Sequence, residues 1–429
     1  MQLFTKTVIE LDKTTKFVKR KSKLGSRLFV EALVSGCLSD TTISLERLCR
    51  LMKQKGVKIR KQGLHQRFNS ASVSLMQNFF LKATEQFRAE NSNVINLLKS
   101  FSTVHMVDSS GISLPTNLKN LYRGSGGAAS ESGIKVQVLF DYMRGQIEQL
   151  EITEGCRSDQ GYYGHLNKIE KGALYLQDLG YFKVKSFMTI QDQGSYFISR
   201  YFNAVKIFNE KGKVIDLLNE LQNSGAICEK KVRVGQNEKM EVRLIAQRLS
   251  NEDAEKRIRK IKRDAKKNKR QPTKETLALA QWSIYITNVP KQMLSAEQIY
   301  LVYSLRWQIE LFFKLCKSEA GIAKISGKKV NRILCEIYAK LACIVMLLYL
   351  CFPLRWEKCS EISFIKAYKE FASRAIDFYR ALKSLYRFTK FIEIFFSDLR
   401  DFAFKDRHRK KRRLTCQKLM DTTGQEVLI

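Results

Sequence analysis

The sequence predicts an α/β protein: a sheet-based core interrupted by a β-rich insertion, with helical regions before and after it. Three observations carry that expectation. Residues 104–200 hold short alternating or apolar runs bounded by turn residues, the pattern of strands. A second strand-rich stretch lies between residues 203 and 277, and both ends of the chain repeat apolar residues at helical intervals instead.

The resulting division is a helical region over 1–100, core segments over 101–202 and 278–353, the insertion over 203–277, and a basic helical region over 354–429. In the first of these, Leu45, Leu48, Leu51 and Met52 fall at helical intervals, Gly56 breaks the pattern, and a short helix with Leu64 and Phe68 follows. Two short helices about a glycine, the second carrying Lys61, His65 and Arg67, form either a DNA-reading helix-turn-helix or an ordinary hairpin with a basic surface.

From Val104 the strand candidates run in the order VHMVD, IKVQVLF, QIEQLEIT, ALYLQD and SYFIS. The second and third make a hairpin across Met143-Arg144-Gly145. Apolar strands ending in Asp108 and Asp178 would bring two carboxylates to one sheet edge, where sites commonly form. Three antiparallel strands followed by further strands and helices suit a ribonuclease-H-like core. Within the insertion, Val232, Val234, Val242 and Leu244 alternate around Gly235-Gln-Asn as a second hairpin. Residues Lys256 to Arg270 then carry ten basic side chains and one acid, a run that is either a solvated linker or a DNA-facing arm. The strand Trp282–Pro290 returns to the core.

Charge sets the partner class. The chain of 429 residues has 76 Lys and Arg against 42 Asp and Glu, a net charge of +34. An excess of that size on a chain with 44% hydrophobic residues implies a folded protein with a polyanionic partner, nucleic acid above all. A membrane is not expected as partner, because the longest apolar stretch, Leu341 to Phe352, is too short to span one and follows Glu336 and Lys340. Ten cysteines without a CxxC pair indicate neither zinc nor a disulfide framework and fit a reducing cytoplasm. The N-terminus lacks an apolar export signal, and the four histidines lack ligand spacing.

The segment Tyr303-Ser-Leu-Arg306-Trp-Gln-Ile-Glu310-Leu-Phe-Phe-Lys314-Leu-Cys-Lys317 concentrates chemistry. At ~100° per residue, Tyr303, Arg306, Glu310 and Lys317 share an arc of roughly 60°. One acid beside two cations and a phenol suits a divalent metal on the carboxylate next to a phosphate held by Arg and Lys. The plainer reading is a solvated helix with a Glu310–Lys314 ion pair, worth only a few tenths of a kcal/mol. Asp108, Asp178 and Glu310 together could bind two Mg²⁺ ions, with Mn²⁺ as the substitute, about 3.5–4 Å apart for an in-line displacement at phosphorus.

The spacing Y-x2-R-x3-E-x6-K resembles the signature of DDE transposases of the insertion-sequence-4 family. The resemblance extends over most of residues 104–320, taking in Asp108, the DLGYF context of Asp178, SYFISR ending at Arg200, and the ITNVP strand. The first motif reads Asp-Ser-Ser here where many members have Asp-Ser-Thr. The likeness implies a DDE triad of Asp108, Asp178 and Glu310 in a ribonuclease-H-like domain. It also implies that Tyr303, Arg306 and Lys317 contact phosphates of the transposon end, and Lys314 is grouped with them. Arg200 becomes a candidate phosphate or hairpin contact. Trp282 lies 21 residues before Tyr303, like a base-stacking Trp in relatives, although a Trp in an apolar strand most often packs in a core.

The expected activity is therefore Mg²⁺-dependent cleavage of double-stranded transposon ends and their joining to target DNA, by a homodimer in the DNA complex, in the cytoplasm at the nucleoid. Apolar helices after Gly321 are candidates for that pairing or for packing on the sheet, and DRHRKKRR at 406–413 for non-specific DNA contact. A non-catalytic DNA-binding derivative and a nuclease without strand transfer are the alternatives.

Overall fold

The computed structural model describes residues 1–20, 22–86, 96–126, 130–325, 327–354 and 362–404. The chain opens with helices α1 (Lys6–Thr15), α2 (Ser26–Ser39), α3 (Leu45–Gln54), α4 (Lys61–Arg67) and α5 (Ser70–Gln86). Ser44 starts α3 by accepting the Arg47 amide on its hydroxyl, satisfying one of the unpaired N–H groups of the first turn. Gly56 sits at φ +88°, a left-handed angle that costs residues with a Cβ roughly 1–2 kcal/mol. The expected pair of short helices is thus present. Arg67 departs from the expectation: its guanidinium lies 4.2 Å from the Phe17 ring centroid and donates to the Leu24 carbonyl, so it packs inward rather than facing a ligand.

Strands β1 (Val104–Ser113), β2 (Gly133–Asp141), β3 (Gln146–Glu154) and β4 (Leu174–Gln177) precede α6 (Val184–Asp192) and β5 (Tyr196–Arg200). The insertion supplies β6 (Ile207–Phe208), α7 (Leu217–Gln222), β7 (Ile227–Val234), β8 (Met240–Arg248), α8 (Asn251–Lys267) and α9 (Lys274–Leu279), and β9 (Trp282–Thr287) follows. Among the described residues these strands form one mixed sheet of nine, ordered β3-β2-β1-β4-β5-β9-β8-β7-β6. β1, β4 and β5 run parallel, while β2, β3 and β9 are antiparallel to their neighbours. The insertion strands therefore extend the core sheet through β9 instead of closing a sheet of their own.

Two local expectations change. β1 does not end at Asp108 but continues to Ser113, because β2 pairs with it from His105 to Ser113. The basic run is not a linker through Lys267 but helical. It belongs to α8, whose N-cap Ser250 accepts the Asp253 amide, with Glu252 and Asp253 in the first turn and Lys266 and Lys267 in the last. That order matches the helix dipole, and a Glu252–Lys256 pair at 2.6 Å adds i,i+4 support.

After the sheet come α10 (Ala296–Tyr303), α11 (Trp307–Lys314), α12 (Val330–Cys351), α13 (Phe364–Ser373), α14 (Ala375–Ala381) and α15 (Leu385–Phe402). By length and composition α12 could cross a membrane, yet 83% of its apolar window is buried inside the protein, where it packs on α5 and α2. Its charges are satisfied as burial requires: Arg332 pairs with Glu336 at 2.7 Å, and Lys340 donates to the carbonyls of Gly321 and Lys324. The 406–413 basic cluster lies outside the described residues.

A core role for α12 predicts that Leu347→Ala, at a fully buried position, lowers unfolding free energy by about 2–5 kcal/mol in urea titrations. A loss under about 0.5 kcal/mol, the range of exposed surface sites, would mean that this helix face is not enclosed.

Candidate active site

Register brings the first two acids together. β1 and β4 pair in parallel from Val104–Leu174 to Val107–Gln177, so the next residue on each strand is Asp108 and Asp178. Neighbouring strands lie about 4.8 Å apart, which sets these two residues side by side. β4 stops at Gln177 and the chain leaves through the 3-10 turn Leu179–Tyr181, which Asp178 precedes. Asp108 accepts the Ser109 amide at 2.8 Å on Oδ1.

Glu310 arrives from the other side of the chain, on a segment less regular than the expected single α-helix. α10 passes through a 3-10 turn at Ser304–Arg306 into α11, and a π-helical turn follows over Leu315–Glu319. Tyr303 is only 5% exposed, and its hydroxyl donates to the Gln177 carbonyl at 3.2 Å. Its phenol thus ties this helix to the end of β4, rather than standing free on a shared face. Arg306 lies between the acids: Nη1 is 3.6 Å from Asp108 Oδ2, and Nη2 donates to Glu310 Oε1. The plainer reading paired Glu310 with Lys314, but its partner is Arg306. Lys314 and Lys317 are exposed.

Electrostatics report the same gathering. Burial pushes the Asp108 carboxyl up to about 6, the charges of Asp178 and Glu310 add to the rise, and the Ser109 amide and Arg306 oppose it. Burial alone would lower Arg306, yet Tyr303, Asp178 and Glu310 hold it above its ordinary value. Asp108 and Glu310 paired with one guanidinium, and Asp178 acting on it through charge, leave negative charge in excess. Among the described residues no three His, Cys, Asp or Glu side chains stand close enough to hold one metal ion. Asp108 and Glu310 instead pair with the guanidinium. An all-oxygen donor set with surplus negative charge suits a hard divalent cation, so the residues fit one provided Arg306 yields its place.

Beside Arg306 opens a cleft of about 460 Å³ whose lining includes Arg200, Arg257, Arg306, Tyr285, Tyr300, Tyr303 and Trp307, with one acid, Asp253. The Arg200 guanidinium lies 5.9 Å from the Tyr303 ring. Arg257 reaches in from α8, donating to the Trp282 carbonyl at 2.6 Å and to Ser283 Oγ at 3.1 Å. Burial and the neighbouring Arg200 lower its affinity for a proton, against smaller opposing effects of Tyr285, Tyr300 and Asp253. Trp282 is 6% exposed and packs in the core, whereas Trp307 is 57% exposed at the cleft. Sequence reasoning missed Arg257, one of ten cations in a run, and Trp307, although its place beside Arg306 was a signal.

Residues 99–346 match the family model described as Transposase DDE domain, more than half of the chain, and the chain belongs to that family. It is 30% identical, over 94% of its length and 90% of the relative's, to the transposase for insertion sequence element IS231F of Bacillus thuringiensis subsp. israelensis. It is 29% identical to the transposase for insertion sequence element IS1151 of Clostridium perfringens, over 79% and 76% of the two chains. A solved piggyBac transposase synaptic complex with hairpin DNA aligns at TM-score 0.47 and 9% identity, over 96% of this chain and 86% of that one.

The raised Asp108 value carries a sign. The folded state binds this proton more tightly than the unfolded state, so the metal-free protein gains stability as pH falls through about 6 towards 4. Denaturant titrations over that range should show the gain, and Asp108→Asn should flatten it. An equal slope in the variant would exclude Asp108 as its source.

Proposed function

We propose that the protein is the transposase of a bacterial insertion sequence that binds terminal inverted repeats, hydrolyses the phosphodiester at their 3′ ends and joins the freed 3′-hydroxyls to target DNA. The carrying observation is the pairing of Arg306 with both Asp108 and Glu310, with Asp178 set beside Asp108 by the strand register. The order β3-β2-β1-β4-β5 with β1, β4 and β5 parallel supports a ribonuclease-H-like core. The Tyr303, Arg306, Glu310 and Lys317 spacing supports placement in the insertion-sequence-4 family.

Asp108, Asp178 and Glu310 would hold two Mg²⁺ ions, or Mn²⁺ in their place. When bound, these supply an activated water or 3′-hydroxyl and stabilise the leaving oxygen. The chain's own side chains do the rest. Arg306, released from the acids, turns its fork to the scissile phosphate in the bidentate geometry that guanidinium favours. Arg200 and Arg257 neutralise the adjoining phosphates, and exposed Trp307 offers a face on which a base can stack, worth about 1–3 kcal/mol. Tyr303, fixed to the Gln177 carbonyl, keeps the end of α10, just before the Glu310 helix, against β4. Lys314, Lys317 and the basic face of α8 extend the DNA track, and the helical region of residues 1–100 reads the end. Two copies meet in the DNA complex, for which the exposed Leu385, Tyr386 and Phe402 of α15 supply apolar surface. DNA as substrate sets the work in the cytoplasm, at the nucleoid.

Glu310→Gln should abolish Mg²⁺-dependent cleavage of terminal DNA while end binding stays within a few fold. Full cleavage by that variant would defeat the assignment. Arg257→Ala and Lys317→Ala should each weaken binding and reduce the slope of log K against log salt by about 1; an unchanged slope removes that residue from the phosphate contacts.

A further inference from the structure

A second polar cluster lies behind Asp108. Successive side chains of a strand point to opposite faces, so Ser109 leaves β1 away from the acids, and its hydroxyl donates to Asp159 Oδ1 at 2.7 Å. Asp159 opens the 3-10 turn Asp159–Gly161 after β3. The same Oδ1 receives Lys135 Nζ at 3.1 Å and Gln137 Nε2 at 3.4 Å. Gln137 is the direct cross-strand partner of Ser109 and is fully buried. Its Oε1 accepts the hydroxyl of Tyr181, which is buried in the turn that begins just after Asp178. An unbroken path of side chains thus leaves the backbone beside Asp108 and re-enters it three residues past Asp178.

Such a path constrains separation. β4 ends at Gln177, so the ladder that fixes β1 against β4 stops one residue short of the acids. Beyond that point the Ser109–Asp159–Gln137–Tyr181 chain links the two segments. The three donors on one Asp159 oxygen make it a hub of this chain, with Lys135 balancing its charge.

We propose that Asp159 is a positioning residue that sets the spacing of Asp108 and Asp178 and thereby the affinity of the site for divalent cations. The proposal rests on the reading of those two aspartates as metal ligands. Asp159 acts through Ser109 on one side and through Gln137 and Tyr181 on the other, and touches no substrate.

The test is Mn²⁺ binding to the purified full chain without DNA, followed by the electron paramagnetic resonance signal of free Mn²⁺. Ser109→Ala and Tyr181→Phe cut the path at two points, keeping Asp108, Asp178 and the Asp159–Lys135 pair. Each should weaken Mn²⁺ binding by roughly tenfold, as loss of support behind metal ligands does. The double variant should be no weaker than either single one, since a severed link cannot be severed again. Affinities equal to that of the unaltered chain overturn the proposal. So does a fall in the number of Mn²⁺ bound at unchanged affinity, which marks misfolding rather than misplacement. Asp108→Asn separates the two readings. If it abolishes tight binding while the path variants bind normally, the ligand assignment stands and the positioning role falls. If it binds Mn²⁺ as before, the ligand assignment itself fails and takes the proposal with it.

Discussion

The pairing of the Arg306 guanidinium with Asp108 and Glu310, within the field of Asp178, is the contact around which the site is organised. Carboxylates brought this close repel, and burial makes their ionised forms costlier still. Burial above all, with smaller contributions from Asp178 and Glu310, lifts the Asp108 carboxyl to about 6. One positive fork relieves part of that repulsion and lets acids from two adjacent strands and a distant helix share a space. It cannot balance three charges, and the remaining deficit supports the proposed binding of a divalent cation there.

The surrounding fold serves this gathering. Parallel pairing of β1 and β4 delivers two aspartates in register, and antiparallel β2 carries β1 on past the point where β4 ends. The buried Tyr303 hydroxyl fixes the end of α10, which leads into the third acid's helix, to the end of β4. The insertion returns to the same sheet through β9, and for that reason α8 can send Arg257 into the cleft beside Arg200 and Arg306. Positive charge stays next to the acids without neutralising them, a division of labour that suits a polyanionic substrate with a metal-dependent reaction centre.

Much of this was legible in the sequence because it is written in local periodicity. The strands, both hairpins, the short helices about Gly56 and the spacing of Tyr303, Arg306, Glu310 and Lys317 all follow from side-chain patterns within a few residues. The parts that were not legible depend on partners far along the chain. β1 reads as ending at Asp108 since nothing local announces that β2 extends it to Ser113. Tyr303 and Arg67 read as outward-facing because helical spacing gives a direction but not what lies opposite. Arg257 could not be told from nine other cations until α8 was placed against β9. Asp159, in a turn between Ser158 and Gln160, looked like any turn aspartate.

The most direct measurement is a crystal structure of the protein bound to terminal DNA and Mn²⁺, with the ions located by anomalous scattering. The account predicts two peaks about 3.5–4 Å apart, coordinated by Asp108, Asp178 and Glu310, with the Arg306 guanidinium moved off the acids and onto a DNA phosphate. Peaks elsewhere, or an Arg306 still paired with Asp108 and Glu310 beside an ordered scissile phosphate, would contradict it.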